Sequence, residues 1–376
     1  LPVLIAALVL VPSCFDNDLS VDSPRPEMPP PRVAFGSQVR YGVCCGPTSM
    51  CCSDFNSDGY GDIVTGNSAS DDISIFLGRG DGTFGDPVKF GAGDSPSMVC
   101  SSDLDSDGNV DLAVANFDSG DISVLLGYGD GTFAQAASYD AGLEPRAICA
   151  EDLNGDMNND LAVANSGSGS VSILIGNGDG TFCESDSVIV DTYPSSVASC
   201  DMNGDGNIDL AVANWRGNSI SILFGRGDAT FESGIRYMMA DDPYYIHAGD
   251  LDGDGNIDLV VVSVNCYSIQ ILMGSEDGTI AVAGRYYGPG GPSCVDAGDL
   301  DGDGDLDLAV SNWNTLEVSV LLGDGSGKFA PSANYRAGDG GLAVLCRDLD
   351  GDSDIDLLLA NRISSDISVL LNETND

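Results

Sequence analysis

One histidine, two tryptophans and 14 lysines and arginines are all that 376 residues offer of the chemistry most enzymes and nucleic-acid binders rely on. With 59 acidic residues the formal charge is -45, which repels nucleic acid and anionic membranes and attracts cations. His247 stands alone with no evident partner, so a histidine-dependent triad or a zinc site has little to be built from. Carboxylate-pair hydrolysis is the route the acids leave open, and the sequence favours a binding module over it. No apolar run reaches the roughly 20 residues a membrane helix needs. Leu1 to Val11 is apolar but stops at Pro12-Ser13-Cys14, the core and end of a secretory signal.

What is present is repetition. The stretch Asp250-Leu251-Asp252-Gly253-Asp254-Gly255-Asn256-Ile257-Asp258 recurs six more times, its first position falling at Asp54, Asp103, Asp152, Asp201, Asp250, Asp299 and Asp348, always 49 residues apart. As a cation loop, it supplies side-chain oxygens from positions one, three, five and nine and a carbonyl from position seven. Position three is Asn56, Asp105, Asn154, Asn203, Asp252, Asp301 or Asp350. Position five is Asp58, Asp107, Asp156, Asp205, Asp254, Asp303 or Asp352. Position seven is Tyr60, Asn109, Asn158, Asn207, Asn256, Asp305 or Asp354, and position nine is Asp62, Asp111, Asp160, Asp209, Asp258, Asp307 or Asp356. Several hard oxygens around one point suit calcium, so up to seven Ca2+ ions are expected, one per repeat. Position six is glycine except at Met157 and Ser353, a cost of about 1 kcal/mol if the backbone there is left-handed. Repeat three lacks both that glycine and, at Asn154, a charge, and is expected to be the weakest site.

A 49-residue period with four apolar runs fits one blade of a β-propeller. Around the second repeat the runs are Pro96 to Ser102, Leu112 to Asn116 and Ile122 to Leu126, with Val88 to Phe90 standing for the fourth strand. Leu112-Ala113-Val114-Ala115 is apolar on both faces, as a strand between neighbouring blades should be. Gly129-Asp130-Gly131-Thr132 is the turn from third strand to fourth. The expected fold is all-β: a seven-bladed propeller with four antiparallel strands per blade over residues 34–376. The last repeat has three strands, and Phe35 to Tyr41 lies in register with the missing one. This strand should pair with Ile367 to Leu371 and close the ring, hiding both edges. Residues 15–33, rich in proline, read as a disordered tether. Residues 1–14 read as a signal expected to begin inside its apolar core. Lipidation at Cys14, cleavage after Ser13 and no cleavage all stay open, and each places the propeller outside the cytoplasm, secreted or lipid-anchored.

Asp-Leu-Asn-Gly-Asp-Gly-Asn-x-Asp-Leu, followed by Val-Ala-Asn and then Leu-Leu-Gly-x-Gly-Asp-Gly-Thr-Phe, resembles the FG-GAP/VCBS repeat family, best known from the integrin α-subunit head. The resemblance implies a seven-bladed propeller with calcium between strands one and two of a blade. Here all seven repeats carry the loop, and sequences such as Ala115-Asn116-Phe117 replace the family's Gly-Ala-Pro. The chain therefore looks like a bacterial-type extracytoplasmic member, and integrin ligand specificity is not carried over.

Strand direction puts the loops and Gly-Asp-Gly turns at one end of the ring. At the other end fall Phe117, Trp215, Trp313 and Arg362, one residue after each second strand, and Arg146, Tyr244 and Tyr245 at the start of first strands. Such residues suit a sugar or a protein partner, or else they lid the gaps between blades. Arg79-Gly80-Asp81 and Arg226-Gly227-Asp228 spell an adhesion tripeptide, but turn chemistry accounts for their Gly-Asp. The 12 cysteines leave disulfides, buried thiols and metal binding open. Cys52 and Cys346 share a register in blades that become neighbours on closure, so a bridge there would staple the seam. The functional expectation is a monomeric, extracytoplasmic calcium-binding module for a carbohydrate or protein ligand. A carbohydrate-processing lyase or hydrolase, or a purely structural surface protein, is the alternative.

Overall fold

The computed structural model describes residues 9–10, 33–43, 45–239, 241–288, 290–330 and 333–374. Each 49-residue unit forms one four-stranded antiparallel sheet. In blade one the strands, from the inside outward, are Pro47–Ser53, Asp62–Asn67, Asp72–Phe76 and Val88–Gly91. The inner strands of the other blades are Pro96–Ser102, Pro145–Glu151, Pro194–Cys200, Pro243–Gly249, Pro292–Gly298 and Gly341–Arg347. Each inner strand packs against the next, and the seventh packs against the first. The result is a closed seven-bladed ring around a central channel.

Blade seven takes its outer strand from the other end of the chain. Val39–Gly42 pairs with Asp366–Leu370, Val39 opposite Val369 and Tyr41 opposite Ile367, and the Gly36 amide donates to the Leu371 carbonyl at 2.8 Å. The closure expected from register arithmetic is therefore present. Val88–Gly91, by contrast, belongs to blade one, and blade two draws its outer strand from Ala137–Asp140. A two-residue strand, Val9–Leu10, pairs in parallel with Tyr237 and Met238 on the outer strand of blade four. Residues 1–8 and 11–32 of the expected signal and tether, including Cys14, lie outside the described residues, whereas Val33, the last residue assigned to the tether, is buried between blades six and seven and accepts from the Tyr335 hydroxyl at 2.7 Å.

The core is divided into seven slabs, one between each pair of blades. Val64, Ile73 and Ile75 of blade one meet Val99, Leu112 and Val114 of blade two; Leu358, Ala360 and Ile367 of blade seven meet Met50, Ile63 and Phe76 of blade one. Second strands such as Asp111–Asn116 are buried along their whole length because both faces look at a neighbouring sheet. Cutting Leu112 to alanine would cost about 2–5 kcal/mol by this burial. The asparagine that ends the second strand is a latch. Asn67, Asn116, Asn165, Asn214, Asn312 and Asn361 each donate Nδ2 to a third-strand serine, at 2.7 to 3.0 Å. Blade five replaces the pair with Ser263 and Gln270, whose buried side chains find no partner.

The staple proposed for the seam is not formed, since Cys52 and Cys346 are both free thiols. Cys346 is buried in the slab between blades six and seven, whereas Cys52 packs against the slab between blades seven and one. A sheet of blade seven thus separates them despite their common register. Cys266 is disulfide-bonded.

Candidate functional site

At one end of the ring the aspartate loops are curled by their own carboxylates. Asp54 accepts from the amides of Asp58 at 3.1 Å and Gly59 at 2.8 Å; Asp250 accepts from Gly253 at 2.8 Å and Gly255 at 2.9 Å. Position three accepts from the position-five amide and position five from position seven, as Asp105, Asp107 and Asn109 show at 3.1 and 2.8 Å. These Asx-type turns curl each loop around its own carboxylates, both oxygens of Asp54 and of Asp250 accepting backbone amides. Carboxylate oxygens of Asp103, Asp105 and Asp107 lie within 4.8 Å of one another, as do those of Asp250, Asp252 and Asp254, of Asp299, Asp301 and Asp303, and of Asp348, Asp350 and Asp356. Asp103 Oδ1 is buried without a hydrogen-bond partner, an acceptor facing other acceptors. That arrangement fits a hard cation. In blades one, three and four the asparagines Asn56, Asn154 and Asn203 instead donate Nδ2 to the position-five carboxylate, at 2.9, 3.1 and 3.1 Å.

Position six is left-handed, with φ of 88° at Gly59, 68° at Met157 and 79° at Ser353, so the condition attached to those two substitutions holds. Position four is left-handed as well, including Ser57 at 58° and Ser106 at 60°, a second strained site that the motif alone did not reveal. Blades four, five and six carry glycine at both places, and the other four blades carry one non-glycine each.

Position nine has a task beyond that of an expected ligand. Asp62 is fully buried and accepts from the Phe55 amide at 2.9 Å and the Gly78 amide at 2.7 Å, tying the loop to the end of the third strand. Burial pushes the carboxyls of Asp62, Asp111, Asp160 and Asp209 up to about 6, and those of Asp307 and Asp356 up to about 7, against the pull of the two amides. The loops of blades one, two, three and seven are also hooked to the next blade by a backbone hydrogen bond. Gly131 donates to the Phe55 carbonyl at 3.0 Å, Gly180 to Leu104 at 3.2 Å, Ala229 to Leu153 at 2.9 Å and, across the seam, Gly82 to Leu349 at 3.2 Å. The tripeptide at Arg79 is part of this turn. Asp81 accepts from the amide and hydroxyl of Thr83, and a Cβ on Gly80 would meet the Tyr60 ring at 2.2 Å.

At the opposite end a cavity of about 330 Å³ opens at the channel mouth, lined by Phe117, Asp118, Arg146, Tyr244, Tyr245 and Arg362 among others. Its floor is a ring made by the second residue of each inner strand. Thr48, Ser97, Ser195 and Ser293 turn their hydroxyls to carbonyls of the next blade, at 2.6 to 2.9 Å, whereas Arg146 and Tyr244 project. The Arg146 guanidinium donates to Tyr244 Oη at 2.8 Å and sits 5.2 to 5.9 Å from the ring centres of Tyr244, Trp215, Tyr193 and Phe117. Trp215 stands edge-on to Tyr193 and to Tyr244, at 5.4 and 5.6 Å. Arg216 lies over Tyr193 at 4.4 Å.

The structure thus brings Phe117, Arg146, Trp215 and Tyr244 together and leaves Trp313 outside both the cluster and the cavity wall. Tyr245 lines the cavity but is mainly wall, hydrogen-bonded to Cys294, with its phenol pushed well above its usual value by that neighbour and then by burial. Sequence reasoning missed Tyr193 and Arg216. A register scan for aromatics would have found Tyr193, whose carbonyl accepts from the Trp215 amide at 2.9 Å.

His247 is not alone, contrary to the sequence reading. Its Nδ1 lies 3.5 Å from Asp296 Oδ1, and Arg347 approaches the other oxygen of Asp296, also at 3.5 Å. Burial holds the imidazole below its usual pKa, Asp296 pulls the other way, and Arg347 adds to the depression. His247 and Asp296 occupy one register of adjacent inner strands, 49 residues apart, which was the available signal. Cys51, Cys100 and Cys149 share that register in blades one to three, and burial raises all three thiols, to about 12 for Cys51 and Cys149.

The chain belongs to the FG-GAP-like repeat family, whose model matches residues 54–114, 103–156, 152–212, 201–261, 250–310 and 299–359 in overlapping succession. Comparison with curated protein sequences gives no match. Among solved structures it is similar to BBS1N, determined in complex with ARL6DN, with TM-score 0.63 and 15% identity over 92% of this chain and 98% of that one. A streptogramin B lyase gives TM-score 0.63 and 18% identity over 90% and 98%, and a virginiamycin B lyase from Staphylococcus aureus gives 0.62 and 14% over 90% and 99%. At these identities the likeness is one of fold.

Proposed function

We propose that this chain is a calcium-stabilised, extracytoplasmic propeller that holds a carbohydrate or protein ligand at the channel mouth, opposite its calcium loops. The observation that carries the reading is the Arg146 cluster: a guanidinium among four aromatic rings beside a cavity, in a chain with few cations or large rings to spend. Partly exposed aromatics next to arginine are the residues that dominate binding energy at recognition sites. Calcium would be held by the carboxylates at positions one, three, five and nine with the position-seven carbonyl, and would supply the countercharge that lets them sit together. Millimolar calcium outside the cytoplasm suits affinities of roughly 10⁻⁴ to 10⁻³ M. The apolar Leu1 to Val11 stretch agrees with export.

The test is a glycan and protein-partner screen of the calcium-loaded chain, repeated with Trp215→Ala. A ligand retained by the parent and lost by a variant of equal melting temperature supports the mouth site. Hits indifferent to Trp215 would remove it. A second reading, a lyase or hydrolase, is favoured by the His247–Asp296 pair in the channel, because a carboxylate beside an imidazole orients it for proton transfer. Turnover of a bound saccharide that disappears in His247→Gln would establish it.

A further inference from the structure

The mouth cavity has a local charge opposite to that of the molecule. Arg146 and Arg362 line it against one acidic residue, Asp118, in a chain with 59 acids and 14 bases. Among the described residues, no ion pair takes Arg146, Arg216 or Arg362, although carboxylates outnumber cations several-fold. Arg146 spends one hydrogen bond, on Tyr244, and its plane is fixed by the surrounding rings. A guanidinium so held keeps its other N–H groups for a bidentate acceptor. The hydroxyls of Thr48, Ser97, Ser195 and Ser293 are already donating to backbone carbonyls, so in the cavity they can only accept.

Resting on the mouth-site reading above, we infer that the ligand is a sugar carrying a single carboxylate, a uronic acid or similar terminal residue, with its carboxylate on Arg146. The anion answers the unpaired guanidinium. The sugar hydroxyls donate to serine oxygens that have lone pairs left, Phe117 and Tyr244 on the cavity wall offer rings for the C–H surface of the sugar, and Trp215 behind them holds Arg146 and Tyr244 in place. The -45 charge of the chain penalises a dianion or a polyanion about in proportion to its charge, which selects one carboxylate over a phosphate ester or an acidic peptide. A cavity of about 330 Å³ is at the small end of ligand pockets and suits a chain terminus.

Titration calorimetry of the full calcium-loaded chain with a glucuronyl-terminated disaccharide, its methyl ester, the neutral glucosyl counterpart, glucose 1-phosphate and a glutamyl dipeptide tests this. The acid should bind at least tenfold tighter than its ester, and Arg146→Met should bring the acid down to the ester's level. If Arg146→Met does not fold, Arg146→Lys should keep part of the preference and make it more sensitive to salt. Equal binding of acid, ester and neutral sugar, lost in Trp215→Ala, overturns the carboxylate while keeping the mouth site. Tighter binding of the phosphate or the dipeptide overturns the ligand class. An acid preference untouched by either Arg146 variant overturns the placement and, if Trp215→Ala is equally silent, the mouth site with it.

Discussion

The two ends of the ring obey different rules. At the loop end, one nine-residue motif is written seven times, with aspartate at positions one, five and nine in every copy and aspartate or asparagine at position three; at the mouth end, one register reads Ser68, Phe117, Ser166, Trp215, Val264, Trp313 and Arg362. Where every blade must solve the same problem of turning the chain and tolerating adjacent carboxylates, the solution repeats. Where the chain only has to cross between blades, each residue is free to differ, and the cluster around Arg146 draws its rings from blades two, four and five. Repetition therefore marks what holds the ring, and divergence marks where it can be selective.

The largest expected effect comes from stripping the loop end alone. On the proposed reading, calcium at ten times its Kd would contribute about 1.4 kcal/mol per site, or about 10 kcal/mol if seven sites add. Melting in excess chelator should fall by tens of degrees, and identical curves with and without calcium would remove the ion from the loops. Opening the ring should abolish the difference between the ends altogether. Deleting residues 1–42 uncovers the edge of Asp366–Leu370, and aggregation seen by light scattering is expected. A soluble deletion variant with unchanged melting would deny the seam its role.

Acid gives a signature of intermediate size. In chelator, folded Asp62, Asp111, Asp160 and Asp209 titrate near 6, above the unfolded value of 3.8, so the folded state binds more protons. Their contribution is fully present below about 3.8 and is lost as the pH rises through about 6 to 7, the upper figure set by Asp307 and Asp356. Metal-free melting should therefore rise from pH 7.5 to 5.5, whereas in limiting calcium it should fall as protons compete for the same oxygens. Parallel slopes would mean that the carboxylates do not meet an ion.

Within the loop end, Met157→Gly relieves a left-handed side chain that is 89% exposed and so loses no packing. Strain relief of about 1–2 kcal/mol, offset by the entropy glycine adds to the unfolded chain, leaves a gain of about 0.5–1 kcal/mol, a degree or two by calorimetry. Smallest is the effect of Trp313→Ala. Ligand affinity should stay within twofold of the parent while Trp215→Ala weakens it at least tenfold, and equal losses would spread the site around the whole rim.

The architecture was legible because each loop consumes nine positions of fixed chemistry. Seven equally spaced copies leave room for one kind of blade, and the remainder at each terminus implied the closing strand. The loops were legible as turns rich in carboxylates but not as clamps. Nothing in the motif says that Asp62 also holds the Gly78 amide, since that partner lies 16 residues away and donates from the backbone. Register was informative only with the direction of the side chain. Asp296 follows His247 by one repeat and meets it on the inner wall, whereas Cys52 and Cys346, equally well aligned, end in slabs on opposite faces of blade seven. Tyr193 was missed because its contribution depends on Trp215 folding back over it, a contact between two loops rather than two strands.

The backbone hooks from the loops of blades seven, one, two and three to the blade that follows each, such as Gly82 on Leu349 and Gly131 on Phe55, give that run of the ring, seam included, the mechanics of a barrel hoop. A pull on a hooked blade has to shear its own lip and its neighbour's together, so load is shared along that arc instead of peeling one sheet at a time. Because Val39–Gly42 and Asp366–Leu370 are neighbours in blade seven, force passed into either strand enters at the same stave, where Tyr41 and Ile367 lie side by side.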